Sequence, residues 1–198
     1  MDGAGRLLTD ADVAAIVLAA RLLIGVLFVL AGLGKLRDRA GFRRAVDRYE
    51  LLPGSLVSPF AAALPWVEVA VGIALAAGFA TPLAAGMVTV MLLGFAVAAA
   101  VNLLRGRDID CGCAGAAGGT RISWWLVARN AALAVLAAGV AVVTADRPLP
   151  AVPAGDLLAV AVTVVAVLGT ARLLAHAAPV RAALTARSST DRRPAQDR

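Results

Sequence analysis

The chain has two cysteines, Cys111 and Cys113, and both lie in a glycine-rich polar stretch between two long apolar runs. Their C-x-C spacing allows an intraloop disulfide, a pair of sulfurs that exchanges electrons, or half of a thiolate metal site, and it selects none of them alone. A disulfide between these positions needs a bent, strained backbone, which Gly112 tolerates at low cost. Because a strained disulfide is easily reduced, the spacing suits an exchanging pair better than a structural cross-link. The alternative is two idle, reduced thiols.

The composition indicates a membrane setting for these thiols. Of the 198 residues, 61% are hydrophobic, and the mean hydropathy is +0.84, whereas soluble domains are roughly half apolar. We therefore predict an all-α polytopic membrane protein, a four-helix transmembrane bundle plus a fifth C-terminal transmembrane helix. The net charge of +6 comes from arginines near span ends and in the tail, so it indicates orientation and not a nucleic-acid partner. No second cysteine pair at zinc-ligand spacing is present, and no metal site is predicted.

The hydropathy pattern divides the chain into five parts. Transmembrane spans are predicted at 13–33, 59–79, 83–104, 122–143 and 157–174, each long enough to cross a bilayer. Between the first two spans, an amphipathic stretch ended by Pro53 predicts a short interfacial helix. The parts are a short N-terminal segment at 1–12, a four-helix membrane domain at 13–143 with the C-x-C loop at 105–121, a proline-rich connector at 144–156, a fifth transmembrane helix at 157–178, and a basic disordered tail at 179–198.

The lysines and arginines of the connectors predict the orientation. Counted in order, the four connectors carry six, none, three and one of these residues, and the tail carries five. The positive-inside rule then places the N-terminus outside, with the C-x-C loop and the C-terminal tail in the cytoplasm. The cysteines would face a compartment that keeps thiols reduced. Trp66, Trp124 and Trp125 lie near span starts and are predicted to anchor the helices at the membrane interface.

The polar residues inside the predicted spans include Arg21, Glu68, Arg129 and Asn130. Charges at this depth are costly, so each is a functional candidate. The rise of a helix puts Glu68 and Asn130 at similar heights, and the long side chain of Arg21 could reach them. We therefore predict a buried cluster of these four residues. It would either lock the bundle by pairing its charges, or relay protons or hold a quinone headgroup near the thiols.

Several short motifs follow one another in a characteristic order. They are Arg21, Phe28-x-x-Ala31-Gly32-x-x-Lys35-Leu36, Phe42 with Tyr49-x-Leu51-Leu52-Pro53, Leu64-Pro65-x-x-Glu68-x-x-x-Gly72, Asp110-Cys111-Gly112-Cys113-x-Gly115, and Ile122-Ser123 with Arg129-Asn130. This set resembles the methylamine utilisation protein MauE family, within the broader DoxX-like group of small four-helix membrane proteins. The resemblance covers about residues 13–143.

The resemblance implies a membrane accessory factor for disulfide formation, working with a thioredoxin-like partner in the maturation of methylamine dehydrogenase. On this basis Cys111 and Cys113 are the redox pair, while Glu68, Arg129 and Asn130 belong to the polar core. The chain departs from the family where Ala114 replaces the aromatic residue that often follows the second cysteine, and where a fifth span and a basic tail are added.

Three functions remain open from the sequence. The preferred one is a thiol-redox accessory protein that exchanges electrons with a thioredoxin-like or other thiol partner, and in addition with a quinone. The second is a non-redox scaffold subunit that stabilises a membrane-associated enzyme. The third is a small-solute transporter, which no internal repeat supports. The preferred function conflicts with the predicted orientation, because a factor for extracytoplasmic disulfides should present its thiols outward. Whether the chain is itself an enzyme stays open.

Overall fold

The computed structural model describes residues 10–107, 109 and 121–146, all within the first of two compact units of the chain, 1–157 and 158–198. These ranges form five α-helices. They are α1 (Asp10–Arg37), α2 (Arg39–Tyr49), α3 (Gly54–Ala77), α4 (Thr81–Leu104) and α5 (Trp124–Asp146). The predicted fifth transmembrane helix at 157–178 and the tail at 179–198 lie outside the described residues, as does most of the connector at 144–156 and of the N-terminal segment at 1–12.

Four of the five helices, α1, α3, α4 and α5, are long and apolar enough to cross a membrane. They contain 23 to 28 residues each, which at about 1.5 Å per residue exceeds the roughly 30 Å of a hydrocarbon core. The predicted all-α fold with a four-helix transmembrane bundle is therefore confirmed, and the chain is a multi-pass membrane protein.

Helices α1 and α3 run antiparallel. They pack closely because small residues line their contact. A Cβ atom added to Gly25 would lie 2.7 Å from the carbonyl oxygen of Gly72, and one added to Gly72 would lie 2.7 Å from that of Gly25. Seven residues later in α1, a Cβ added to Gly32 would lie 2.8 Å from the carbonyl oxygen of Pro65. Glycines let backbones approach where the lipid provides no hydrophobic drive for association, so van der Waals contact holds this pair together.

Helices α4 and α5 form the second closely packed pair. Alanine and valine dominate their shared face, and the buried residues recur every three or four positions, as one helix face requires. These residues join others from α1 and α3 in a single apolar core, whose α4 and α5 members are Ala84, Ala85, Val88, Leu92, Ala134, Ala137 and Val140.

The short helix α2 lies at one end of this bundle, between α1 and α3. Its N-cap is Asp38, whose carboxylate accepts a hydrogen bond of 2.8 Å from the backbone amide of Gly41. Phe42 and Ala45 are buried, while the arginines of α2 are exposed. The helix ends at Tyr49, and its C-cap, Glu50, adopts a left-handed conformation at φ 48°. The sequence correctly predicted a short amphipathic helix here, but it ended the first span at residue 33, whereas α1 continues to Arg37.

Candidate functional site: a buried ion pair and the base of the cysteine loop

The extension of α1 carries Lys35 into the bundle, where it pairs with Glu68 of α3. The ammonium lies 2.5 Å from one carboxylate oxygen of Glu68 and 2.6 Å from the other. The two side chains are only 6% and 1% exposed. Both carboxylate oxygens thus receive a charge-assisted hydrogen bond, which is what makes two opposite charges tolerable at a site shielded from water.

Two phenylalanine rings enclose the Lys35 ammonium. The rings of Phe42 in α2 and Phe95 in α4 each have their centroid 5.4 Å from the lysine nitrogen, a distance at which a cation is attracted to the face of an aromatic ring. Helices α1, α2, α3 and α4 therefore all contribute to one site. Because Phe95 belongs to α4, the ion pair between α1 and α3 also contacts the α4–α5 pair.

The predicted pairing of Arg21 with Glu68 is wrong. Arg21 is 1% exposed, and its guanidinium donates hydrogen bonds to the carbonyl oxygens of Leu75, at 3.2 Å, and Ala76, at 3.4 Å. Leu75 lies seven residues beyond Glu68, about 10 Å along the helix. Because α1 and α3 are antiparallel, Arg21 falls opposite the C-terminal end of α3, where free carbonyls and the helix dipole favour a cation.

Arg129 does not join a buried cluster either. Asn130 is 5% exposed, and it lies on the same face of α5 as Leu126 and Ala134, which are also buried. Arg129 is exposed. Adjacent residues of an α-helix point about 100° apart, and here Asn130 faces the interior while Arg129 faces outward. Arg129 is six residues into α5, close enough to the helix end for its long side chain to reach the interface.

Lys35 is the site residue that sequence reasoning missed, since it was counted with the connector. One signal could have found it. Arg21, Phe28 and Lys35 are spaced seven residues apart, which places them on one face of a continuous helix, and all three are buried. A cation at the end of a predicted span, on the same face as a buried arginine, is a candidate partner for an intramembrane carboxylate.

At the same end of the bundle, Asn102 of α4 is fully buried, at 0% exposure. Its side-chain amide donates hydrogen bonds to the carbonyl oxygens of Tyr49, at 3.2 Å, and Ala98, at 3.1 Å. Tyr49 is the last residue of α2, so Asn102 fastens the end of that helix to α4. Burial raises the pKa of the Tyr49 hydroxyl to about 12, so this side chain is even further from ionising than an ordinary tyrosine.

Arg107 makes a second connection to the end of α2. Its guanidinium donates a hydrogen bond of 3.1 Å to the carbonyl oxygen of Arg48 and forms an ion pair with the exposed carboxylate of Glu50. The hydrogen bond that Arg107 donates to the Glu50 carboxylate, together with the charge of Arg107, holds the pKa of Glu50 below its ordinary value. Since Glu50 neutralises Arg107, this arginine is less able to stabilise a thiolate than its position in the sequence suggests.

A backbone hydrogen bond joins Ile109, inside the predicted cysteine loop, to Ile122, just after it. The backbone amide of Ile122 donates a hydrogen bond of 3.0 Å to the carbonyl oxygen of Ile109. Ile122 is buried in a small apolar cluster with Ala99 and Leu126. Cys111 and Cys113 lie outside the described residues, so their predicted role as a redox pair stays a prediction. What the structure defines is the base from which their segment extends.

The described residues show no cluster that could hold a metal ion, and the quinone named from the sequence stays a prediction. Within ranges 10–107, 109 and 121–146, no three side chains of His, Cys, Asp or Glu come together. A quinone headgroup would need a hydrogen-bond donor for its carbonyl oxygens, but the ammonium of Lys35 already bonds both oxygens of Glu68 between two rings.

Comparison with known proteins agrees with the order of the sequence motifs. The family model described as "Methylamine utilisation protein MauE" matches residues 13–143. Proteins named methylamine utilization protein MauE are 42% identical over 127 residues in Paracoccus denitrificans, covering 62% of this chain and 67% of that protein, and 37% identical over 122 residues in Methylorubrum extorquens, covering 61% and 66%.

The matched length differs between relatives. The protein of that name from Methylophilus methylotrophus is 43% identical over 95 residues, so the chain spans half of that relative, and the match covers 48% of this chain. No solved structure matches. A family match over more than half of the chain, with four named relatives at about 40% identity, establishes that the chain belongs to the methylamine utilisation protein MauE family.

Proposed function

We propose that this chain is a membrane-embedded thiol-redox accessory protein for methylamine utilisation, which assists disulfide formation in maturing methylamine dehydrogenase. The observation that supports this proposal is how the residues on either side of the cysteine segment are held. Residues 110–120, which include both cysteines, are bounded by a hydrogen bond between Ile109 and Ile122. Arg107, at the start of this segment, is fastened to the end of α2 by Glu50 and the Arg48 carbonyl.

The proposed reaction is thiol–disulfide exchange with a thioredoxin-like partner. The thiolate of one cysteine attacks the partner's disulfide, forming a mixed disulfide and releasing one partner thiolate. The second cysteine, as its thiolate, then attacks the mixed disulfide. The products are a Cys111–Cys113 disulfide and a reduced partner, so two electrons pass from this chain to the partner. Run in reverse, the same steps oxidise the partner, as disulfide formation in a substrate requires.

In this proposal the ion pair of Lys35 and Glu68 has a structural role, which is to hold the helices around it together. It fixes α1 to α3 and, through the two phenylalanines, places α2 and α4 around it. The end of α2 in turn receives Asn102 and Arg107 from the end of α4. A continuous series of contacts therefore runs from the bundle to the start of the cysteine segment, and we assign it the role of positioning that segment.

Trapping a mixed disulfide tests the redox role. Replacing the resolving cysteine prevents the second step, so we expect either Cys113→Ser or Cys111→Ser to accumulate a disulfide-linked complex with the partner, visible on non-reducing gels and lost on reduction. The double serine variant is the matched control and should trap nothing. Failure of both single variants to trap a partner would contradict the proposal.

A second candidate is a non-redox scaffold that stabilises a membrane-associated partner enzyme. It is favoured by the same ion pair, whose two side chains hydrogen-bond to each other and to no other group within the described ranges, as in a purely structural contact. The two functions differ in what the cysteines do. If the double serine variant supports normal amounts of active methylamine dehydrogenase in cells, the scaffold is correct; if activity falls while the level of this membrane protein is unchanged, the redox role is.

The exposed arginines suggest an orientation. Arg37, Arg39, Arg43, Arg44 and Arg105 are exposed at the end of the bundle that carries α2. We propose that this end faces the cytoplasm, as the positive-inside rule requires. The thiols then exchange with a cytoplasmic partner, or the cysteine segment is reached from the other side of the membrane.

A further inference from the structure

One flank of α2 carries arginines beside a membrane-exposed tryptophan. Trp66 of α3 is 56% exposed, and because α3 spans the membrane, this ring contacts lipid. The guanidinium of Arg39 lies over the ring, 5.9 Å from its centroid. Tryptophan prefers the headgroup level of a bilayer. Because the α1 span ends at Arg37, two residues before Arg39, we take this part of the amphipathic helix α2 to lie at the membrane edge, at the height of lipid phosphates.

Arg43 extends the same flank. It lies four residues after Arg39, so the two side chains are neighbours on one side of α2. Phe42 and Ala45, which are buried, mark the side of α2 that faces the bundle. Both arginines are exposed. Within the described ranges, Arg43 makes no hydrogen bond or ion pair, and the only partner of Arg39 is the ring of Trp66. Two guanidinium groups are thus available at the lipid boundary.

From this geometry we infer a binding site for the phosphate of an anionic phospholipid, formed by Arg39 and Arg43 with Trp66 against the upper acyl chain. A guanidinium binds phosphate through paired hydrogen bonds. The amphipathic tryptophan ring provides an apolar surface at the depth where the chains begin. Zwitterionic lipids carry phosphate too, but their cationic headgroup offsets it, so a net negative lipid is preferred. The inference is independent of the proposed redox function.

The other occupant of such a flank would be an acidic soluble protein. The lipid is favoured because Arg39 is held against a ring that faces the hydrocarbon, a position that a lipid reaches from within the membrane. Two acidic residues lie close to these arginines in the sequence: Asp38, the N-cap directly before Arg39, and Asp47, four residues after Arg43. Neither forms an ion pair with Arg39 or Arg43 within the described part of the chain.

Tryptophan quenching tests the site. The variant Trp124→Phe/Trp125→Phe leaves Trp66 as the only tryptophan of the three. This full-length chain is reconstituted in phosphatidylcholine vesicles with a minor fraction of lipid brominated near the headgroup, either phosphatidylglycerol or phosphatidylcholine. Each cation near an anionic surface favours anionic lipid about fivefold, so for two arginines we expect quenching to indicate an enrichment on the order of 25-fold for phosphatidylglycerol. The preference should fall with added salt.

Matched variants locate the preference. Arg39→Gln/Arg43→Gln should abolish it, and Arg39→Lys/Arg43→Lys, which keeps the charge, should retain most of it. Arg44→Gln/Arg105→Gln removes two exposed arginines from the same end of the bundle but not from this flank, and it should leave the preference unchanged. Equal quenching by the two brominated lipids would overturn the site, and so would a loss in the Arg44/Arg105 control as large as that in the Arg39/Arg43 variant.

Discussion

Lys35 and Glu68 are each nearly inaccessible, so either one without the other would be a buried, unmatched charge. Removing one member of such a pair costs about 3–5 kcal/mol, whereas replacing both by apolar residues of similar volume is often neutral. We expect Glu68→Leu or Lys35→Met alone to lower the free energy of unfolding by that amount. The double variant Lys35→Met/Glu68→Leu should recover most of it. Unfolding in detergent, followed by circular dichroism, measures the difference.

The exposed Arg129 supplies the control for this prediction. Arg129→Gln also removes a charge from a membrane helix, but from its surface, so its effect should stay within about 0.5 kcal/mol. If the double variant unfolds as easily as the single ones, the pair is not the unit that matters. If the double variant is stable but methylamine dehydrogenase is not matured in cells, the pair has a role beyond holding the helices.

Gly78 shows how one residue lets Arg21 reach the end of α3. Gly78 adopts φ 81°, and a Cβ there would collide with the Arg21 guanidinium. We expect Gly78→Ala to destabilise the protein by about 1–2 kcal/mol for the left-handed backbone alone, with more from displacing the arginine. Gly94→Ala is the comparison, because Gly94 lies in α4 with nothing near its would-be Cβ, and it should be neutral or slightly stabilising. Equal unfolding temperatures for the two variants would contradict the assigned role of Gly78.

At the scale of elements, α2 is held at both ends by different forces. Its first turns are fixed by Phe42 against Lys35, and its last residues accept hydrogen bonds from Asn102 and Arg107. The second of these connections depends on pH. Because the pKa of Glu50 is lowered in the folded state, its contribution is complete above the ordinary glutamate pKa of about 4.3 and is lost as the pH falls through the lower, folded-state value.

A glutamine at this position imitates the protonated state. We therefore expect Glu50→Gln to speed hydrogen exchange of the amides at the end of α2 at neutral pH, while exchange in α1 and α3 stays the same. Arg44→Gln changes a charge on the same helix that has no partner within the described ranges, and it should have no effect. In the unmodified protein, exchange corrected for its intrinsic pH dependence should not change between pH 8 and pH 6. A change in that interval would assign the connection to another group.

The helices themselves could be predicted from the sequence because hydropathy and length decide which segments cross a membrane. The pairing inside the bundle could not. Whether Arg21 or Lys35 meets Glu68 depends on the register of α1 against α3, which Gly25 and Gly72 fix by close backbone contact. The predicted first span ended at residue 33, whereas α1 ends four residues later, at Arg37. This difference explains why Lys35 was assigned to the connector. Local patterns carry neither the register nor the boundary at that precision.

For the whole molecule, charge distinguishes the two ends of the bundle. Arginines are exposed where α1 and α4 end and α2 lies, while Asp10 and Asp12 open α1 at the other end and Asp146 closes α5 there. This asymmetry predicts that the α2 end is cytoplasmic. It also decides the direction of any redox role, because thiols at a cytoplasmic surface are kept reduced, whereas an extracytoplasmic surface favours disulfides.

Two single-cysteine variants test this orientation in a Cys111→Ser/Cys113→Ser background. Arg44→Cys marks the exposed surface of α2, and Phe79→Cys marks the opposite end, where this residue is 75% exposed in the turn between α3 and α4. A membrane-impermeant maleimide should label Phe79→Cys in intact cells and Arg44→Cys only after permeabilisation. The reverse pattern would place the α2 end outside, and the base of the cysteine segment with it. Exchange would then occur directly in the oxidising compartment, since the Ile109–Ile122 bond and the Arg107 contacts lie at that same end.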